Sequence, residues 1–287
     1  MSMEQSAIPT YMPPEMAFNA PLHEGRCLFD VRQRKQFDTS HVVCSHPLCD
    51  HTQLNENTAS EGWRFVNDEY GFENMTDIII VTDDLSLAKA QELRELLINC
   101  RDLSGGALLS AVKAKSVNLL DFNEFITTYP FFCGPEASAS IQMTAAYPTE
   151  ITKNLYLSGV GPAKDITVFN NLKITHVVNC ASFRESNHHE SAGIQYLRLD
   201  IVDDEQQALA DAFTTALPFI AAAHESGGKV LVHCNQGRNR SAAIVAAHLL
   251  PSFAGDVDRT IQYIRSCRSP TIVLTNRSFV NQLHHNK

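Results

Sequence analysis

Short apolar runs alternate along the chain with stretches in which apolar residues recur every three or four positions. In the front part, RCLFDVR (Arg26 to Arg32), TDIIIVTDD (Thr76 to Asp84) and SVNLLDF (Ser116 to Phe122) predict strands. Between the last two, Leu87, Leu93, Leu96 and Leu97 share one side of a predicted helix over Ser86 to Cys100, with Ser86 as its cap. Strands alternating with helices predict an α/β fold built on a parallel sheet. CGPEASASIQMTAAYPTE (Cys133 to Glu150) is small, polar and aperiodic, and reads as a linker. Beyond it come NLYLSGV, DITVFNNLKI, THVVNCA and IQYLRLDI. A long amphipathic helix follows over about Gln206 to Glu225, then the apolar run KVLVHC. The helical patterns RSAAIVAAHLL, DVDRTIQYIRSC and TNRSFVNQL close the chain. The expected organisation is a tail over 1–17, a domain over 18–132, a linker over 133–148 and a domain over 149–287. Each domain is expected to be a mostly parallel sheet flanked by helices.

Charge sharpens this division. The 287 residues carry a net charge of -9, but residues 1–140 hold 10 Lys and Arg against 20 Asp and Glu, and residues 141–287 hold 13 against 12. An acidic front and a near-neutral rear argue for two units. The acidic half is a poor candidate for a nucleic acid backbone, which rewards basic faces, and the expected partner is a protein rather than a nucleic acid. No apolar run approaches the roughly 20 residues of a membrane span. The N-terminus lacks the basic start and apolar stretch of a secretory signal, so a cytoplasmic or nuclear location is expected and no membrane partner. The eight cysteines show no framework spacing and are expected mostly as free, buried thiols. CSHPLCDH (Cys44 to His51) could in principle hold zinc. It lacks a second ligand pair at finger-like spacing, so a histidine-rich surface loop is the expectation.

One stretch concentrates chemistry. VHCNQGRNRSA (Val232 to Ala242) lies between an apolar strand and an apolar helix. A strand ending at Cys234 and a helix starting near Arg240 would aim the amides of Asn235, Gln236, Gly237, Arg238 and Asn239 into one concavity. That is an anion cradle reinforced by the helix dipole. Gly237 permits the tight path, and the planar guanidinium of Arg240 can grip two phosphate oxygens. The same field favours a thiolate at Cys234, which could attack phosphorus without metal or cofactor. Ser241 can hydrogen-bond the thiolate as it leaves, and His233 is expected to support the loop. The bland reading is a chance C-x5-R with an inert cysteine. The ordered set of His, Cys, Gly, Arg and Ser in a strand–loop–helix setting argues against it.

VHCNQGRNRS resembles the signature loop of the cysteine-dependent dual-specificity protein phosphatases. YPTEITKNLYLSGV, LKITHVVNCAS, IQYLRLDIVDD and SPTIVLTNRSFVNQL resemble consecutive blocks of that fold. LFDVRQRKQFDTSHV resembles the opening of a rhodanese-like domain, and VNLLDFNEFITTYPFFC is similar to the segment ahead of the phosphatase in MAP kinase phosphatases. The resemblance implies a metal-independent phosphatase acting on phosphotyrosine and phosphoserine/threonine of a phosphoprotein substrate. It implies a general acid a few residues beyond the strand YLRLDI, which places the acid at Asp203, with Asp204 as the alternative. An RNA 5′-phosphatase or phosphoinositide phosphatase of the same superfamily is the alternative enzyme, since Asn239 before Arg240 also resembles RNA 5′-phosphatases. A non-catalytic phosphoprotein-binding module is the alternative outside enzymes.

The front half departs from two family activities. The loop matching the rhodanese active site, VTDDLSL (Val81 to Leu87), has two aspartates and no cysteine, so no sulfurtransferase activity is expected. A protein kinase is a candidate partner by resemblance, but His41 to Arg64 has no basic run. Arg32, Arg34 and Lys35 just ahead read as a solvated helix face. A partner of this acidic half is expected to be basic, or to be the phosphatase half itself.

Overall fold

A computed structural model gives the fold. It describes residues 11–19, 26–42, 45–47, 77–99, 116–135, 147–181, 186–268 and 273–285. The chain divides into two compact units, residues 1–141 and 142–287.

The first unit runs α1 (Pro14–Phe18), β1 (Arg26–Asp30), α2 (Arg34–Thr39), β2 (His41–Val42), β3 (Ser45–Pro47), β4 (Asp77–Thr82), α3 (Leu87–Asn99), β5 (Ser116–Asp121), α4 (Phe122–Thr128) and β6 (Cys133–Gly134). Four strands form a parallel sheet in the order β3-β1-β4-β5, and β2 pairs with β6 antiparallel. The central β4 buries Ile78 to Val81 on both faces, which is why its apolar run does not alternate. Asp121 caps α4 by accepting from the amides of Asn123 and Glu124.

Residues 11–17 are not a free tail. The Met12 amide donates to Leu119 O at 2.7 Å, and Ala17 and Phe18 are fully buried. The cause is aromatic: Phe18 stacks on Tyr129 with centroids 4.6 Å apart and packs against Phe132. The linker is shorter than 133–148 at both ends. Cys133 and Gly134 are paired as β6, and Tyr147 accepts a 2.6 Å bond from Asn171. Arg32 is not on a solvated face. Its Nη2 lies 2.6 Å from Asp30 Oδ2, with the two side chains 3% and 0% exposed, and its guanidinium sits 3.3 Å from the Phe122 ring centroid. Breaking such a buried pair typically costs about 3–5 kcal/mol, so Arg32 belongs to the core. Arg34 and Lys35 are exposed. In the loop after β4, Asp83 bonds Ser86 and accepts from Gln36, so Ser86 is paired with Asp83 at the head of α3. Cys44, Cys49, His51 and Arg64 lie outside the described residues, as do 136–146 of the linker.

The second unit runs β7 (Thr149–Thr152), β8 (Leu155–Ser158), α5 (Val160–Lys164), α6 (Ile166–Leu172), β9 (His176–Asn179), β10 (Gln195–Arg198), α7 (Ala210–Glu225), β11 (Val230–His233), α8 (Arg240–Leu249), α9 (Val257–Cys267) and α10 (Arg277–His285). Its sheet has the order β10-β9-β11-β8-β7, parallel except for β7 against β8. Every residue of β8, β9 and β11 is buried. Helix α8 packs against α7, α9, α10 and β11, and all its residues but His248 are buried. That burial on all sides explains a sequence rich in alanine with no polar face. Helix α7 starts at Ala210, four residues later than expected. Gln282 takes the Leu209 amide and donates to Gln207 O, while Gln207 takes the Val202 amide. Those side-chain bonds replace a helical turn over 206–209.

Candidate active site

The centre of the second unit's sheet delivers the site. Strand β11 pairs in register with β8 and β9, so His233 lies between Ser158 and Asn179, and the chain then leaves the sheet at Cys234. The loop 234–239 turns back over the end of β8. Gly237 has φ +70°, and a Cβ there would stand 2.6 Å from the Ser158 carbonyl carbon. A Cβ on Gly159 would meet Asn235 O at 2.9 Å. Two glycines thus let main chain pack on main chain, and the Val160 amide fastens the contact by donating to Asn235 O at 3.1 Å.

Cys234 is 2% exposed at the floor of this loop. Its Sγ receives the Gly237 amide and the Ser241 hydroxyl, each at 3.2 Å. Burial alone would raise its pKa. The Ser241 hydroxyl and amide, the Arg240 charge and the Gly237 amide outweigh that and hold it below the ordinary cysteine value. Cys180 makes an instructive contrast. It follows Asn179 on the neighbouring strand and is equally buried, but burial and the adjacent Cys234 push its thiol well up. Donors aimed at sulfur, not burial, separate the two cysteines. Alkylation of Cys234 by iodoacetamide is therefore expected to rise with pH through a midpoint below that of a free cysteine. Ser241→Ala, by removing the largest favourable contribution, is expected to move that midpoint upward. An unmoved midpoint would deny Ser241 this role.

Arg240 opens α8 and is 7% exposed. One Nη1–H donates to Ile201 O at 3.4 Å, while its buried Nε has no hydrogen-bond partner among the described residues. His233 is buried. Asn235, Gln236 and Arg238 are exposed on the loop, and Arg238 O accepts the Leu274 amide at 2.9 Å.

Asp203 comes to the loop from the segment after β10. Its Oδ2 accepts from Asn239 Nδ2 at 3.2 Å and its Oδ1 from Asn276 Nδ2 at 3.3 Å. Asp204 instead turns back to the Gln206 amide at 2.7 Å. Two residues here escaped sequence reasoning. Asn276, just ahead of α10, carried no signal in a single sequence. Arg268 is largely buried, donating to Thr149 Oγ1 at 2.7 Å and to Leu157 O at 3.3 Å. Burial lowers its pKa, and the nearby Cys234 thiolate pushes it back up. Arg268 follows the helical pattern ending at Cys267, and no local feature of the sequence marks it as a neighbour of Cys234. Among the described residues no three His, Cys, Asp or Glu side chains are grouped as metal ligands are.

A thiol held below its ordinary pKa by the Gly237 amide and the Ser241 hydroxyl, with Arg240 at the start of the following helix, is an arrangement that can present a nucleophilic sulfur to a phosphate group. The profile of the dual specificity phosphatase catalytic domain matches residues 155–287. Dual specificity protein phosphatase 1 of Arabidopsis thaliana is 32% identical over 136 residues, covering 47% of this chain and 67% of that protein. The chain therefore belongs to the dual specificity phosphatase family. Arabidopsis thaliana PHS1, also a dual specificity protein phosphatase by name, is 39% identical over 105 residues, which cover 36% of this chain. A protein of Dictyostelium discoideum named a probable rhodanese domain-containing dual specificity protein phosphatase is 32% identical over 171 residues, 56% of this chain. The matches span only 11% of PHS1 and 34% of the Dictyostelium protein.

Proposed function

We propose that the protein hydrolyses phosphotyrosine and phosphoserine/threonine on phosphoprotein substrates through a cysteinyl-phosphate. The Cys234 thiolate attacks phosphorus while the P–O ester bond breaks. Asp203 gives its proton to the departing oxygen, and Arg240 with the loop amides balances charge on the phosphoryl oxygens. Water then attacks phosphorus and gives its proton to the Asp203 carboxylate. The S–P bond breaks, phosphate leaves, and the Ser241 hydroxyl receives the returning thiolate. His233 supports the loop from within the sheet. The observation that carries the reading is the pair of 3.2 Å donors on Cys234 Sγ, which favour a nucleophilic thiolate in a buried position. The front unit is read as a rhodanese-like domain without sulfurtransferase activity. Its parallel sheet and the name of the Dictyostelium relative support this.

The test is turnover on a panel of phosphotyrosine peptide, phosphothreonine peptide, phosphoinositide and 5′-triphosphorylated RNA. Both peptides should be hydrolysed. Exclusive hydrolysis of RNA or lipid would replace the protein substrate, and binding without hydrolysis would make this a phosphoprotein-binding module. The same thiolate should be the first cysteine to reach sulfenic acid. Peroxide should inactivate the enzyme reversibly, with phosphate protecting. Inactivated protein in which mass spectrometry finds Cys234 still reduced would count against the assignment.

A further inference from the structure

Asn239 has two faces, and both are engaged. Its Oδ1 accepts the Thr275 amide at 2.9 Å, the Thr275 hydroxyl at 3.2 Å and the Asn276 amide at 3.2 Å. Two of these are backbone N–H groups, which can only donate, so the oxygen must face them and the nitrogen must face away. Facing away means facing Asp203, whose Oδ2 lies 3.2 Å from Nδ2. Asn276 is oriented in the same manner. Its Oδ1 takes the Phe279 amide at 3.3 Å, which turns its Nδ2 to Asp203 Oδ1. The carboxyl is gripped by two amides whose directions are set elsewhere in the fold. Arg240, the residue after Asn239, holds Ile201 O of the same segment.

From this geometry we infer that Asn239 is a positioning residue for the general acid, docking the Asp203 segment onto the phosphate loop; the inference rests on the reading of Asp203 as that acid. The two contacts are longer than the about 2.7–2.9 Å of a tight charge-assisted bond. Amide donors at that distance can serve a carboxylate and a carboxylic acid alike, so the acid can give and regain its proton in place. A misplaced acid costs most where the leaving oxygen most needs a proton. Asn239 therefore acts through the leaving group, whereas a residue that only shaped the cradle would act on every substrate equally.

The experiment compares phenyl phosphate with p-nitrophenyl phosphate, in the wild-type and Asp203→Asn backgrounds. Asn239→Ala should lower turnover of phenyl phosphate about 10-fold more than that of p-nitrophenyl phosphate, the scale of one hydrogen bond to a charged group. In the Asp203→Asn background it should add no further leaving-group discrimination. Hydrogen exchange supplies a readout independent of turnover: the amides of Val202 to Gln207 should exchange faster in Asn239→Ala. Asn239→Ser, which keeps a small polar side chain, replaces it should Asn239→Ala not fold. Equal losses on both esters, discrimination that persists without Asp203, or unchanged exchange over 202–207 would overturn the inference. Wild-type protein that hydrolyses neither ester would instead remove the phosphatase reading, and the exchange measurement would still decide whether Asn239 docks the segment.

Discussion

Cys234→Ser is expected to abolish turnover while leaving phosphopeptide binding within a few-fold of wild type. The substitution changes one atom at the floor of the loop. A hydroxyl there cannot ionise near neutral pH, so attack on phosphorus stops, and the loss should be on the order of 10⁶-fold, as for a missing nucleophile in other covalent enzymes. The amide cradle, Arg240 and the glycine contacts with β8 are untouched. The donors that now serve Sγ, the Gly237 amide and the Ser241 hydroxyl, can serve an oxygen equally well. Turnover and calorimetric binding of a phosphotyrosine peptide measure the two halves of this expectation separately. Substantial turnover in Cys234→Ser would remove the covalent mechanism. Lost binding in a folded variant would mean that the amides and Arg240 do not by themselves hold the phosphate.

Asp203→Asn should lower turnover by roughly 10²–10⁴-fold on substrates with poor leaving groups, and much less on an activated aryl phosphate. The local geometry makes the substitution sharper than a simple loss of a proton. Asp203 offers an oxygen to each of two donors, Asn239 and Asn276. An amide in its place has one oxygen and one NH2, so one neighbouring donor meets another donor. Asp204→Asn should change little, because that carboxylate is committed to the Gln206 amide. Steady-state kinetics over a series of aryl phosphates would distinguish the two aspartates. If Asp204→Asn shows the leaving-group dependence and Asp203→Asn does not, the assignment is off by one residue.

Much of the site was legible because its chemistry is contiguous. Strand exit, thiol, glycine, arginine and serine all fall within Val232 to Ala242, so a local pattern brings them together without any distant partner being known. The sheet was legible for a related reason, since β4 and β11 are buried on both faces and read as unbroken apolar runs. What the sequence hid depends on residues far apart in the chain. Asn276 meets Asp203 across 73 positions, and Gln282 holds the Leu209 amide across another 73, delaying α7 to Ala210. Arg32 looked solvated because its partners, Asp30 and the Phe122 ring, give no local sign of converging on it. The N-terminal segment looked unstructured because its anchor is an aromatic cluster with Tyr129 and Phe132, more than a hundred residues away.

The contact between Gly237 and the end of β8 has a consequence for how such a site can diversify. The cradle's curvature is fixed by backbone atoms of Ser158, Gly159, Asn235 and Gly237, with no side chain interposed. Asn235, Gln236 and Arg238 point outward and contribute no side-chain bulk to that contact. Substitution at these three positions can alter what the rim attracts while the spacing of amides, thiolate and Arg240 stays constant. The fold thereby separates the chemistry of the floor from the selectivity of the rim: a side chain at Gly159 or Gly237 would push the two stretches of main chain apart, whereas the exposed neighbours can change without touching that contact.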